Sequence, residues 1–419
     1  MQNRVQTGAG GEAAPGIRPI SSDNRAAPAT YPWLKAAAKR ARNISSLREL
    51  AARRLPRGIF DFIDGGAEDE VTMADNSAAF GRRRLLPRVL VDVARADLRS
   101  DILGRQSGLP FAIGPTGGAG FVWPRGDLAL ARIAAENDIP FALSTTSAVS
   151  IEHMRERVDG RLWLQSYIFR QRDFTQKLIS RALAADYEAL IITVDLPVGG
   201  NRERDYKNDF SVPFKYTPRN FIDFAAHPEW VFTTLRYGFP TFGNLRDFTP
   251  SNDATRAASS VGRNYDASFN WDDLGRIRDS WPRKLIVKGV VHPEDADRLA
   301  GMGVDAIVVS NHGGRQLDGG PATLEALPQV KSAVGDRAAV YLDGGVRRGS
   351  DIFKALALGA DAVLIGRASL YGLAAAGASG VERAVAILRE ELTRTMQLCG
   401  ATSIAQIDQR FLMPAEHQR

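Results

Sequence analysis

A single cysteine in 419 residues closes several routes at once. Cys399 has no second thiol for an intrachain disulfide and no companions for a cysteine cage around zinc or an iron–sulfur cluster. It reads as a helix-packing residue, and the chain as one suited to a reducing, cytoplasmic compartment. Long apolar runs are missing too: no stretch of eighteen uncharged apolar residues occurs, which argues against a spanning helix. The first thirty residues, rich in Gly, Ala, Pro, Ser and Asn, show no basic start followed by an apolar core. No secretion signal is therefore expected, and residues 1–30 read as a flexible tail. Charge of one sign is also scarce. The 54 basic and 48 acidic residues leave +6, too little and too scattered for a nucleic-acid footprint. Anionic small molecules and lipid surfaces stay open as partners, and no metal site is expected.

What is present is a soluble globular composition, 44% apolar and 24% charged, on a chain long enough for one large α/β barrel with additions. A helical pattern starts near Trp33 with Leu34, Ala37 and Ala38, so residues 31–109 read as an N-terminal helical segment. From Pro110 onward the rhythm changes. Eight short apolar runs follow, at Phe111–Gly114, Phe141–Ser144, Trp163–Tyr167, Leu190–Val194, Leu285–Val287, Ala306–Ser310, Ala339–Asp343 and Ala362–Ile365. Most are separated by ten to fifteen residues of helical spacing. Pro293 opens one such helix, with Gly301 and Gly303 closing it, and Ser350 is expected to cap another that stops at Gly359. Eight strand–helix repeats predict a (β/α)8 barrel over residues 110–400, with function on the loops after the strand ends and a tail at 401–419; a doubly wound sheet is the alternative that the same pattern allows.

One connection breaks the rhythm. About seventy residues lie between the fourth strand and a helix near Trp271, and a loop of that length is usually functional. This insertion, about 198–270, is aromatic: residues 201–250 hold twelve of the thirty-four aromatic residues, among them Phe221, Phe224, Trp230, Phe232, Phe239 and Phe242. Such a segment either packs as core or faces a partner or a membrane surface.

The chemistry-bearing residues stand just after the apolar runs. After the sixth come Ser310, Asn311, His312, Gly313, Gly314 and Arg315. An imidazole takes a proton near neutral pH and a guanidinium grips a carboxylate through two hydrogen bonds, so His312 and Arg315 read as a base and an anion clamp. Asp195 ends the fourth run, with Arg202 a few residues on. A carboxylate beside an imidazole fixes its tautomer, and Asp195 is the candidate partner of His312. Asp343, Gly345, Arg347, Gly366 and Arg367 cluster after the seventh and eighth runs, where barrels commonly bind phosphate. Lys288 ends the fifth run; it fits either a Schiff base or a cation beside a group that becomes negative on reduction.

Taken together these blocks resemble the FMN-dependent α-hydroxy-acid-oxidising enzymes, which include glycolate oxidase, L-lactate dehydrogenase and mandelate dehydrogenase. The resemblance covers about Trp33 to Gly400. It is carried by Ser310–Asp318, Val287–Gly289, Leu342–Gly349 and Leu364–Arg367. It implies FMN at the barrel mouth, His312 as base with Asp195 as its partner, Arg315 and Arg202 on the substrate carboxylate, and Tyr167 near the substrate hydroxyl. It further implies Pro115, Thr116, Gly117, Ser144, Gln165 and Thr193 around the flavin ring, Lys288 and Ser310 at its edge, and Asp343, Gly345, Arg347, Gly366 and Arg367 on ribityl and phosphate. A homotetramer is implied as well.

Two departures bear on the substrate. Phe62 stands where many members carry a tyrosine whose hydroxyl binds the carboxylate. The missing bond is worth about 1.5–3 kcal/mol, and the change leaves a more apolar pocket suited to a bulky side chain. Gly117 replaces the alanine usual in the oxidases. The segment Gly114–Leu130 and the run Asp266–Trp271 look closest to the mandelate dehydrogenase branch, where the excursion attaches to a membrane and a quinone accepts the electrons. The expectation is oxidation of an (S)-2-hydroxy acid, mandelate-like or otherwise bulky, with a non-oxygen acceptor such as quinone. Peripheral contact at the cytoplasmic face of the inner membrane goes with it. Lactate or glycolate oxidation with oxygen is the alternative.

Overall fold

The computed structural model describes residues 30–209, 217–238, 242–245 and 264–414. The expected tail at 1–30 thus lies outside the described residues but for Thr30, as does Phe239. A closed barrel of eight parallel strands forms the centre: β1 (Phe111–Ile113), β2 (Phe141–Ser144), β3 (Leu162–Ser166), β4 (Ala189–Thr193), β5 (Lys284–Val290), β6 (Ala306–Val309), β7 (Ala339–Leu342) and β8 (Ala362–Ile365). Each strand pairs with the next, and β8 closes on β1 with Val363 opposite Phe111. This is the (β/α)8 barrel that the alternation predicts.

Neighbouring residues on a strand point to opposite faces, and the sequence uses this to build two cores. Phe111, Ile113, Phe141, Leu143, Leu190 and Ile192 face the surrounding helices. Ala112, Ala142, Trp163, Ile191, Ile286, Val308, Tyr341 and Leu364 fill the barrel interior. Two large rings, Trp163 and Tyr341, stack at 6.4 Å between centroids and fit because alanines stand around them. A hairpin of Ser100–Ile102 and Arg105–Ser107 packs Ile102 and Leu103 into this inner core, and Leu103 N–H donates to Tyr341 Oη at 3.2 Å. The hairpin closes the barrel floor.

Four helices precede the barrel: α1 (Pro32–Arg40), α2 (Ile44–Arg54), α3 (Arg57–Asp64) and α4 (Val71–Arg82). Asn43 caps α2, its side-chain oxygen accepting from Ser46 N–H at 2.8 Å, and Ile44, Leu47 and Ala51 are its buried stripe. α2 lies against the long helix Arg367–Cys399, which has non-helical backbone at Ala376 and Gly377 and ends on the buried Cys399. Helix Pro293–Gly301 begins where expected. The helix assigned to a Ser350 cap begins earlier, at Gly349. The Asp351 carboxylate reaches back to the N–H groups of Arg347 and Arg348 at 2.9 Å each, so Ser350 falls in the first turn. Residues 401–412 pack: Phe411 and Leu412 are buried, and the Phe411 ring meets Phe353 edge-on at 5.6 Å.

In the excursion, helices Glu203–Lys207, Pro218–Ala226 and Pro228–Tyr237 precede helix Trp271–Ser280. Its aromatic residues divide. Trp230 is buried, stacks on Phe224 at 5.5 Å and donates to Phe121 O at 2.8 Å, whereas Phe221, Ile222, Phe232 and Leu235 are exposed.

Candidate active site

The C-terminal ends of the strands surround a cavity of about 730 Å³. Pro115, Thr116 and Gly117 come to it from the turn after β1, Gln165 and Tyr167 from β3, Thr193 from β4, and Lys288 from β5. His312 and Arg315 follow β6, Asp343, Gly345 and Arg347 follow β7, and Gly366 and Arg367 follow β8. Arg202, on the excursion, completes the wall. Three expected residues stand one layer behind it. Ser144 Oγ lies 3.3 Å from Gln165 Oε1, Ser310 Oγ accepts from Lys288 Nζ at 2.8 Å, and Asp195 reaches the cavity through His312.

His312 holds a backbone φ of 57°, a left-handed conformation uncommon outside glycine and found where surrounding structure enforces it. Its Nδ1 lies 3.0 Å from Asp195 Oδ1, and its N–H donates to Ser310 Oγ at 3.1 Å. Burial pushes the Asp195 carboxyl up, but the charge and hydrogen bond of His312 and the charge of Lys288 more than offset this, leaving it below the ordinary range. Asp195 also presses on β5, where a Cβ at residue 289 would fall 2.6 Å from its side chain. Gly289 meets that approach with φ of 106° at a register shift between Lys288 and Val290. The bulge sets Lys288 beside Asp343, Nζ to Oδ2 2.9 Å.

Two arginines distant in sequence meet at the mouth because the excursion returns against the loop after β6. A Cβ at Gly200 would fall 2.3 Å from Arg315 O, so only glycine permits this approach. Arg315 Nη1 donates to Phe62 O at 2.8 Å and Gly65 O at 2.9 Å. Arg367 donates to Ile63 O, Gly313 O and Gly65 O at 3.2, 2.8 and 2.7 Å. The carbonyls at the end of α3 thus find their donors in two half-buried guanidinium groups. Burial and the charges of Arg202 and Arg367 depress the Arg315 guanidinium, so an incoming anion relieves repulsion already present.

The wall fits a flavin mononucleotide. Asp343 Oδ1 is buried without a hydrogen-bond partner while its other oxygen holds Lys288, which leaves an acceptor for a ribityl hydroxyl. Arg347 sends Nη1 to Val346 O at 2.8 Å and keeps donors for a phosphate, whereas three donor nitrogens of Arg367 are committed to carbonyls. Lys288 stays strongly basic. Burial works against its charge, and Asp343 and Asp195 outweigh it.

A family model described as FMN-dependent dehydrogenase matches residues 51–414. The chain belongs to the FMN-dependent dehydrogenase family, and is an oxidoreductase with FMN as its cofactor. It is 44% identical over 370 residues to (S)-mandelate dehydrogenase of Pseudomonas putida, covering 88% of this chain and 93% of that one. It is 41% identical to an L-lactate dehydrogenase of Caulobacter sp. strain K31, over 88% and 97% of the two chains. A crystal structure of the monotopic membrane protein (S)-mandelate dehydrogenase superposes with a TM-score of 0.86 at 42% identity, covering 89% of this chain and 99% of that one.

Phe62, which the sequence places at the substrate pocket, lines the cavity and meets Phe121 edge-on at 6.3 Å. Other lining residues are not legible as site residues in the sequence: Phe121 meets Phe242 edge-on at 6.1 Å. Tyr265 packs on Tyr167 at 5.3 Å, and Asp205 Oδ2 lies 3.6 Å from Arg202 Nε. Only Asp205 carried a local signal, since it stands three residues from Arg202 on a helix.

Proposed function

We propose that this protein oxidises an (S)-2-hydroxy acid with an aromatic or other bulky side chain to the 2-oxo acid. The observation that carries the reading is the gathering of the His312–Asp195 pair, Arg202 and Arg315 on one cavity, beside an aromatic wall. Arg202 and Arg315 hold the substrate carboxylate, and Tyr167 lies toward the substrate hydroxyl. With Nδ1 engaged by Asp195, His312 Nε2 takes the proton, and Asp195 stabilises the imidazolium that results. The substrate's C–H and O–H bonds give way to a carbonyl: one proton goes to His312, and two electrons leave with the second hydrogen. Bound FMN supplies the two-electron sink.

Pro115, Thr116, Gly117, Ser144, Gln165 and Thr193 would flank the flavin ring, with Ser310 positioning Lys288 at its edge. Asp343 and Gly345 would hold the ribityl chain, Asp343 accepting from a hydroxyl, and Arg347 and Gly366 would hold the phosphate, with the two N–H groups that Arg367 keeps beyond its carbonyl bonds. Lys288 would supply a fixed cation beside the ring. An anaerobic panel of mandelate, lactate, glycolate and longer 2-hydroxy acids, read by bleaching of flavin absorbance, tests the reading. Fastest bleaching by aryl acids is expected. Preference for lactate or glycolate, with peroxide released under air at the rate of turnover, would replace it with the oxygen-linked alternative.

A quinone as acceptor and peripheral contact with the cytoplasmic face of the inner membrane belong to the same proposal. Phe221, Ile222, Phe232 and Leu235 are exposed on two adjoining helices, which supports surface contact, and no helix among the described residues is long and apolar enough to cross a membrane. Sedimentation with liposomes checks it. A homotetramer is proposed too, and the exposed Val89 and Leu90 support self-association.

A further inference from the structure

The end of the barrel opposite His312 carries a second cleft, of about 610 Å³, at the N-terminal ends of β3, β4, β5 and β6. Six cations line it: Arg105, Arg155, Arg161, Arg278, Arg283 and Lys284. Asp186, Glu188 and Asp305 are the acidic residues of the wall, so positive charge is in excess by three. Those carboxylates are already engaged. Glu188 accepts from Arg161 Nε and Nη2 at 3.0 and 2.8 Å and from Trp163 Nε1 at 3.2 Å. Asp305 accepts from Arg278 Nη1 at 3.0 Å and Lys284 Nζ at 2.8 Å, and Asp186 lies 2.7 Å from Arg283 Nη2. Arg105 and Arg155 have only long, solvent-exposed ion pairs, to Glu188 at 3.8 Å and to Asp159 at 3.9 Å, so the charge of the wall is incompletely neutralised.

Arg161 is the telling residue. It is 6% exposed, and its Nη1 is buried with no hydrogen-bond partner. Native folds seldom leave a buried donor unpaired, and least of all one that is charged. Arg161 also reaches the floor hairpin, donating from Nη2 to Ile102 O at 2.6 Å. The same guanidinium therefore joins β3, the hairpin and the cleft wall.

We propose that this cleft binds a compact multivalent oxyanion, of the phosphate or polycarboxylate type. Planar guanidinium forks match the paired oxygens of either group, and the surplus of three charges calls for more than one negative charge in the ligand. The site is separate from the anion clamp of Arg202 and Arg315, since it opens at the other end of the strands. Binding there couples the hairpin to β3 and β5 and stabilises the folded chain by mass action, without touching the groups at the mouth.

The test uses the FMN-loaded enzyme, titrated calorimetrically with inorganic pyrophosphate and, in a separate arm, with citrate. Two variants of exposed residues accompany it: Arg105→Gln/Lys284→Gln, which removes two positive charges, and Asp186→Asn, which removes a negative one. One anion per chain is expected, bound about tenfold more weakly by the double variant and about threefold more tightly by Asp186→Asn. Flavin reduction by substrate should be the same in all three proteins. The arm with the tighter binding names the ligand class. Absence of binding in both arms overturns the proposal, as does equal affinity across the three proteins. Competition with the hydroxy acid would assign the anion to Arg202 and Arg315 and overturn it equally.

Discussion

Asp195 Oδ1 sits 3.0 Å from His312 Nδ1, and its second oxygen is buried without a partner. The carboxylate is thus committed to one face of one imidazole, and its charge matters most when that ring is protonated.

Replacing His312 by Ala should leave FMN bound, seen as the visible flavin spectrum, while anaerobic reduction by substrate slows by several orders of magnitude. Asp195→Asn keeps the shape and removes the charge, and should slow reduction by about 10²–10⁴-fold. Stopped-flow bleaching measures both. A variant of either residue that reduces its flavin at the wild-type rate would show that the proton goes elsewhere.

Arg315→Lys keeps a positive charge but loses the fork. Two parallel hydrogen bonds to a carboxylate become one, so kcat/KM should fall about 10- to 100-fold. Because Arg315 Nη1 also holds Phe62 O and Gly65 O, the thermal midpoint is to be followed alongside. A variant with unchanged midpoint and unchanged kcat/KM would leave the carboxylate to other groups.

The barrel was legible because β1 to β8 are short apolar runs with helical spacing between them, which is how parallel strands buried on both faces read. The same alternation also fits a doubly wound sheet, and the count of eight repeats favoured the barrel. His312, Arg315, Lys288 and Asp343 could be found for a related reason: barrel geometry sends residues just past a strand to the mouth. Phe121 and Phe242 could not. Their meeting depends on how the excursion folds back, and no local period encodes that path. The role of Arg367 was hidden for the same reason, since the carbonyls that engage it belong to α3 and the loop after β6. Ser350 misled because a serine near a helix start is a common cap, and Asp351 competes for the same N–H groups with a full charge.

Phe62 offers a ring face to two cations. Arg315 Cζ lies 5.4 Å and Arg202 Cζ 6.0 Å from its centroid, each contact worth about 0.5–1 kcal/mol. Phe62→Tyr adds a hydroxyl near the carboxylate clamp and should raise kcat/KM for lactate about tenfold. The ratio of mandelate to lactate activity should fall, since the pocket becomes less apolar. Steady-state kinetics with both acids decide it. An unchanged ratio would mean that the Phe62 ring does not face the substrate side chain.

Asp127 lies buried at the start of helix Gly126–Glu136, where its Oδ2 accepts from Ala148 N–H at 3.3 Å in the loop after β2. Burial is the main cause of its shift and outweighs the hydrogen bonds from Ser147 and Ala148, raising the carboxyl from 3.8 to about 6. The folded state therefore binds this proton more tightly than the unfolded chain. Its contribution to stability is greatest below the unfolded value, declines as pH rises from about 4 to about 6, and is flat above. The ionised group costs on the order of 3 kcal/mol at neutral pH. Asp127→Asn retains an acceptor and does not titrate, so its stability relative to wild type should climb through that window and level off by about pH 7. Urea unfolding of both proteins from pH 4 to 8 measures the difference. A flat profile, or one in which the native aspartate gains with rising pH, would show that Asp127 ionises without penalty and that its environment is wetter than the packing around it implies.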